Sequence, residues 1–310
     1  MAVRYEQLSL YRSGNSERER LEGIFGPLIR EELSLGNLVS FVGNKGIPLL
    51  RLYRYKEAFA LEFVRDFIRR FGLTPRDYVF DPFAGMGTTL FASMLYGIPS
   101  IGVDRLPIAV FIADTLPKLL SVEPGELRAT FKRLKRRMER EEPAPVAMDV
   151  PLMRLAFSEE NLLRLRRWKG AIDSLDTPMR EIFTLLFFSI LEDASYTSKD
   201  GQFLRLKRDK KPAYPDEALN QKVIQAEEDL HRIRWLFPQV GELEHLYRVF
   251  LGDSRDLSNI PFRSSPTAII TSPPYVNRYD YTRSYCLELC FQCVKNFDEL
   301  KAIRFGVLRS

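Results

Sequence analysis

Residues 77–104 read DYVFDPFAGMGTTLFASMLYGIPSIGVD, and no other stretch limits the fold as tightly. Residues 77–83 have the aromatic and β-branched content of a strand. Gly85 and Gly87 mark a tight turn, and residues 88–96 carry a helical pattern closed by Gly97. Residues 100–104 (SIGVD) form a second short strand. Strand, glycine turn, helix, strand is a βαβ unit, and it requires a parallel sheet. The predicted fold class is therefore α/β. In open α/β sheets, ligands bind at the carboxyl ends of the strands. Asp81 and Asp104 stand at those ends.

The rest of the 310 residues is organised around this unit. Residues 1–38 are expected to form an N-terminal helical arm, with a charged helical pattern over 16–35. Residues 39–54 read as loop and turn, and 57–71 as a helix stopped by Gly72. With the helix expected over 106–120, residues 39–120 form a cofactor-binding half-domain. Residues 121–246 are charged and helical, with few strand signals, and read as an insertion. Residues 247–310 hold two more strands, at 247–252 and 267–271, and a single terminal helix expected over 283–300. There is no internal repeat.

Apolar residues make up 45% of the chain and charged residues 28%, which excludes disordered, collagenous and disulfide-scaffold classes. The longest apolar run, IFTLLFFSIL at 182–191, is far short of the roughly 20 residues of a membrane span. Residues 1–15 contain no apolar stretch of the secretory type, so no leader is expected. The three cysteines, Cys286, Cys290 and Cys293, fall at helical i, i+4, i+7 spacing. They read as a buried stripe rather than a metal site, and their scarcity suggests a reducing, cytoplasmic setting. Lys plus Arg is 46 against 41 for Asp plus Glu, a net charge of +5 compatible with a polyanionic partner. The basic run at 132–140 is read as a solvated helix face ahead of a nucleic-acid stripe, and the region 121–246 as one that can contact DNA. Residues 199–211 (KDGQFLRLKRDKK) carry six basic residues against two acids. They can be a phosphate-contacting loop, with Lys199, Arg205, Lys207 and Arg208 as candidates, or a plain exposed loop.

Two constellations carry chemistry. The first is FDPFAGMGTT at 80–89. A P-loop needs a lysine that is absent here, and the dinucleotide fingerprint needs a third glycine where Leu90 stands. Asp104 is placed to accept hydrogen bonds from ribose hydroxyls and to repel a ribose phosphate. The pocket therefore suits a nucleoside without a phosphate cradle. S-adenosylmethionine fits, its amino-acid tail held by Asp81 and nearby backbone groups. An ordinary glycine turn in another α/β protein satisfies the same spacing.

The second is Ser272-Pro273-Pro274-Tyr275, entered directly from an apolar strand. Two prolines fix φ and remove backbone donors, so nearby carbonyls form a rigid acceptor site. Ser272 adds a hydroxyl and Tyr275 a flat ring. Together they suit a planar base with an exocyclic amino group, stacked on the ring at about 1–3 kcal/mol.

FDPFAGMGTT, GVD, GDS and TSPPY together resemble the S-adenosylmethionine-dependent amino-methyltransferases of DNA. The Ser-Pro-Pro-Tyr form resembles the cytosine-N4 branch; the adenine-N6 branch more often begins with Asp. The resemblance implies a class I, Rossmann-like sheet with a helical insertion, and double-stranded DNA as substrate. It implies cofactor-loop roles for Asp81, Phe83, Ala84, Gly85, Gly87 and Thr88, a ribose ligand in Asp104, and an acid near the adenine amino group in Asp253. It implies a catalytic loop at Ser272, Pro273, Pro274 and Tyr275, and a DNA-side loop at 197–208. It further implies direct methyl transfer to a flipped base, within a restriction-modification setting. Tyr279, Tyr281 and Arg278 can line the pocket mouth or serve packing. An RNA base methyltransferase and a non-catalytic DNA- or partner-binding subunit are the rival readings. The family's sheet has seven strands and only four are legible here, so a second polypeptide, or further sequence, is expected to complete it. Neither a metal nor a membrane is expected.

Overall fold

The structure, a computed structural model, describes residues 15–28, 32–36, 38–56, 58–200, 203–273 and 280–307. It divides into two units, Met1–Asn37 and Leu38–Ser310. The described part of the first holds helix α1 (Asn15–Phe25) and two single 3-10 turns.

The second unit is built on a four-stranded parallel sheet. Its strands are β1 (Val79–Asp81), β2 (Ser100–Asp104), β5 (Tyr247–Leu251) and β6 (Ala268–Ile269), in the order β5-β2-β1-β6. These are the four strands legible in the sequence. Phe80 pairs with Ile101 on one side and Ile269 on the other, so β1 is interior. From β1 the chain moves outward through β2, and it later returns to the opposite side of β1 with β6. That reversal opens a crevice at the carboxyl ends of β1 and β6.

Strand alternation divides the core. Val79 faces the helices α2 (Leu61–Arg70), α3 (Thr88–Leu95) and α4 (Pro107–Lys118). Tyr78, Phe80, Ile101 and Val103 face a smaller cluster with Phe250, Leu257, Ile260 and Phe262. The helix α3 is buried at every position from Thr88 to Met94, which explains why its pattern is apolar all round. It lies so close to the sheet that a Cβ at Gly102 would stand 2.8 Å from Leu90 Cδ1 and Ala84 Cβ.

The helical region is not a separate body. Helices α5 (Glu126–Met138), α6 (Pro151–Ala156), α7 (Glu159–Asp173), α8 (Met179–Leu191) and α9 (Pro215–Leu236) share one apolar core with α3 and α4. The long apolar run is α8, a core helix joined to α4 through the Phe111–Phe188 edge contact. Phe131 of α5 stacks on Trp168 of α7, whose indole donates to Asp216 of α9 at 2.7 Å.

Three expectations about local structure are corrected. Residues 199–211 are not wholly irregular: β3 (Thr197–Asp200) and β4 (Phe203–Leu206) form an antiparallel hairpin. Its strands are too short and too charged to show a period of two. The helix expected from 57 begins at Leu61, because Asn44 holds the preceding segment extended. The Asn44 amide donates to the Phe59 carbonyl and its oxygen accepts from Leu61 N–H, at 2.9 and 2.8 Å. The single terminal helix is three: α10 (Tyr281–Ser284), α11 (Cys286–Gln292) and α12 (Phe297–Gly306). Asn296 caps α12 by accepting from Glu299 N–H at 2.9 Å, and Lys295 N–H donates to the Glu299 carboxylate. Asn followed three residues later by Glu is a helix start that the sequence already contained.

Gly87 opens α3 at φ +83°, and a Cβ there would lie 1.8 Å from the Tyr247 hydroxyl, which donates to the Gly87 carbonyl. Gly87→Ala therefore combines a left-handed backbone with a steric clash. It should lower stability by about 2 kcal/mol or more. Tyr247→Phe should return part of that loss in denaturant melts.

Candidate active site

Strand β1 delivers Asp81 to the base of the crevice. Its carboxylate is fully buried, with Oδ1 accepting from Thr271 Oγ1 at 2.6 Å and from Phe83 N–H at 3.0 Å. Oδ2 has no partner. Burial raises the carboxyl from 3.8 to about 6, against the opposing pull of the Thr271 hydroxyl. Thr271 immediately precedes Ser272, so this bond ties the glycine turn to the start of the SPPY segment. A second tie runs from Thr89 Oγ1 to the Ile270 carbonyl at 3.2 Å.

Above Asp81 lies a cleft with about 800 Å³ of free space, counted to its open mouth. Phe83, Ala84, Gly85 and Thr88 of the glycine turn line it together with Asp104, Asp253 and Ser272. The structure brings these distant segments together around one cleft. Asp81 and Gly87 are placed differently. They lie behind the wall rather than on it, and they shape the turn from beneath.

Asp104 closes β2 with Oδ2 accepting from Gly85 N–H and Oδ1 from Leu106 N–H, both at 2.8 Å. Burial pushes its carboxyl up, and those amides oppose it. Each oxygen keeps a further lone pair. Asp253 is engaged more heavily. Arg255 binds it through side chain and backbone and Arg105 pairs with the same carboxylate, so it is held well below the ordinary range. Beside it, Ser254 donates to the Pro82 carbonyl and fixes this loop to the glycine turn.

Several wall residues were not singled out from sequence. Tyr55 and Phe59 come from the segment read only as loop and helix start, and Arg105 and Leu106 follow Asp104. Tyr281, read as either mouth or packing, lines the cleft. Tyr55 stacks on Tyr285 of α11 with centroids 4.8 Å apart and planes 13° apart. Pairing across some 230 residues leaves no local signal.

Residues 274–279 lie outside the described residues, and with them the expectations for Pro274, Tyr275, Arg278 and Tyr279. Pro273 is exposed. On the hairpin, Arg205, Lys207 and Arg208 are exposed, whereas Lys199 is 5% exposed. The grouping of Lys199 with the DNA-facing residues is therefore corrected. Its ammonium pairs with Glu288 at 2.6 Å instead of facing solvent. Cys286 and Cys290 are buried on α11 with their sulfurs 4.0 Å apart. Among the described residues, no group of three or more His, Cys, Asp or Glu is arranged to hold a metal ion, and no helix is long and apolar enough to cross a membrane.

Thr88 lines the cleft with a buried Oγ1 that has no partner among the described residues, a polar atom left for a ligand. Asp104 offers carboxylate lone pairs suited to vicinal hydroxyls, and Tyr55, Phe59 and Phe83 supply apolar and aromatic surface. The residues present fit an adenosyl group.

The chain is similar to Type II methyltransferase M.BsoBI of Geobacillus stearothermophilus, with 31% identity over 312 residues covering 89% of this chain. It is similar to Type II methyltransferase M.AvaI of Nostoc sp. and of Anabaena variabilis, at 32% over 289 residues and 87% of this chain. It spans 59% of the length of each of these relatives. No family model matches the chain, and no solved structure matches it significantly.

Because Asp81 is protonated more readily folded than unfolded, its contribution to stability is present below about pH 4 and is lost as pH rises through about 6. Asp81→Asn keeps an acceptor for Thr271 without the charge. At pH 8 it should melt higher than the wild type, by at most about 3 kcal/mol. The gap should close toward pH 4 in a melting series.

Proposed function

We propose that this chain carries the cofactor-binding and catalytic elements of a type II DNA methyltransferase, acting on the exocyclic N4 of a cytosine turned out of the duplex. The observation that carries this reading is that Ser272 lines the same cleft as Gly85, Thr88 and Asp104. The similarity to type II methyltransferases over most of the chain supports it from an independent direction.

S-adenosylmethionine, when bound, supplies an electrophilic methyl group. Asp104 accepts hydrogen bonds from the ribose hydroxyls, and Thr88 fills its open hydrogen-bonding capacity on the same ligand. Ser272 Oγ and the Pro273 carbonyl accept the amino hydrogens of the base. Those bonds localise a lone pair that is otherwise delocalised into the ring and aim it at the cleft. The nitrogen gains a methyl as the methyl–sulfur bond breaks, leaving a neutral thioether, and its proton passes to water, with no covalent bond to the protein. The rate gain is positional and electrostatic. The target atom is inaccessible in stacked DNA, so the base must be everted. Tyr275 is assigned the face of that base, and Arg205, Lys207 and Arg208 the phosphate backbone.

The first residue of the tetrapeptide is Ser rather than Asp, which favours cytosine N4 over adenine N6. The outer side of β6 has no strand paired to it among the described residues, and Ile269 is 60% exposed there. An open, apolar edge is normally covered. We propose that further polypeptide, in cis or in trans, pairs with it in the working enzyme.

Nucleoside mass analysis of DNA from cells producing the active assembly should show N4-methylcytosine. N6-methyladenine, or methylation of RNA instead, would move the chain to another branch. Ser272→Ala should lower the single-turnover rate about 10²- to 10³-fold while changing cofactor affinity less than about threefold. A loss confined to cofactor binding would remove Ser272 from the transfer step. Full activity of the 310-residue chain as a monomer would end the proposal of a completed sheet.

A further inference from the structure

The Lys199–Glu288 pair sits where neither the cleft nor a DNA-facing role requires it. Lys199 is on β3 of the hairpin and Glu288 on α11, and their side chains are 4% and 2% exposed. Tyr53 donates a short 2.5 Å hydrogen bond to the same Glu288 oxygen that pairs with the lysine. The ammonium also lies 3.0 Å from the Tyr53 hydroxyl, and 4.7 Å from the ring centroids of both Tyr53 and Tyr285. A cation against two aromatic faces is favoured most where water is excluded. Tyr285 carries Tyr55 stacked on its other contacts, and Tyr55 Cε1 stands 3.4 Å from where a Cβ of Gly85 would be. Lys199, Tyr285, Tyr55 and the glycine turn thus form one contiguous packed path.

Burying a charge pair is costly, and an apolar pair of similar volume would often be as stable. The pair does something an apolar pair cannot: it fixes two ring planes through a cation and one hydroxyl through a carboxylate. The rings it fixes run into a wall of the cofactor cleft.

We infer that Lys199 is a positioning residue for cofactor binding, holding the Tyr53–Tyr285–Tyr55 wall in register with the glycine turn rather than touching DNA. This inference rests on the reading of the cleft as the cofactor site and deepens it. The hairpin proposed to face DNA and the wall that faces the cofactor are then mechanically one piece, joined at the ammonium.

The test measures S-adenosylmethionine binding by calorimetry, and duplex DNA binding as a function of salt. Lys199→Met alone leaves Glu288 buried without its cation and can fail to fold, so the decisive variant is Lys199→Met/Glu288→Met, which swaps both charges for apolar groups. It should fold and bind the cofactor about tenfold more weakly, a change of about 1.4 kcal/mol. Tyr55→Leu should cost a comparable factor. Adding it to the double variant should cost little more, because two residues acting through one contact are not additive. The salt slope of DNA binding should be unchanged. Wild-type cofactor affinity in the double variant, or full additivity with Tyr55→Leu, would overturn the inference. So would a slope reduced by about one, the mark of a lost phosphate contact. If the wild-type protein itself binds no S-adenosylmethionine, the reading of the cleft fails, and the inference with it.

Discussion

The site depends first on the bond between the Asp81 carboxylate and the Thr271 hydroxyl. Asp81 ends the interior strand of the sheet, and Thr271 follows the short strand beside it. Joining them brings the glycine turn and the beginning of the SPPY segment to one crevice, although 190 residues separate them in the chain. Burying a carboxylate so completely is expensive, and the raised proton affinity of Asp81 measures that cost. The local hydrogen bonds of Thr271 and the Phe83 amide return part of it. What is gained is a fixed distance between the group that shapes the glycine turn and the residue that precedes Ser272.

A second set of constraints works from the opposite wall. Leu49 adopts φ +66°, a left-handed conformation that a branched side chain adopts only at a cost on the order of 1 kcal/mol or more. Asp229 of α9 holds it there by accepting from Leu49 N–H at 2.9 Å, and pairs with Arg51 at 2.6 Å. The chain that leaves this turn runs to Tyr53 and Tyr55. Helix α9 therefore anchors the segment that carries Tyr53 and Tyr55, and α11 receives it through Tyr285 and Glu288. This gives the insertion a role in the site that its solvated, charged sequence does not advertise.

Much of the framework was legible residue by residue. The four strands were found because each ends in an acid or a turn and is apolar over its short length. The glycine positions were found because few residues tolerate the backbone of such a turn, and Gly85 and Gly87 both have positive φ. Other features were invisible for definite reasons. Asn44 caps a helix 17 residues away, outside any local cap pattern. The hairpin exposes Phe203 and Leu206 beside Arg205, and its strands are too short for periodicity. Lys199 looked like its basic neighbours Arg205, Lys207 and Arg208, since nothing in the sequence distinguishes a lysine facing water from one facing Glu288.

The sequence by itself determined the parallel α/β unit, with Asp104 at a strand end and two prolines directly after Ser272. These rest on short-range chemistry: backbone freedom at glycine, its loss at proline, and alternation along a strand. Tertiary structure alone decided which acids face the cleft and which brace it from behind, and which lysine is an internal strut. The placing of Asp81 turns on Thr271, 190 positions away, and that of Lys199 on Glu288, 89 positions away. Burial and partner, not residue type, set their roles.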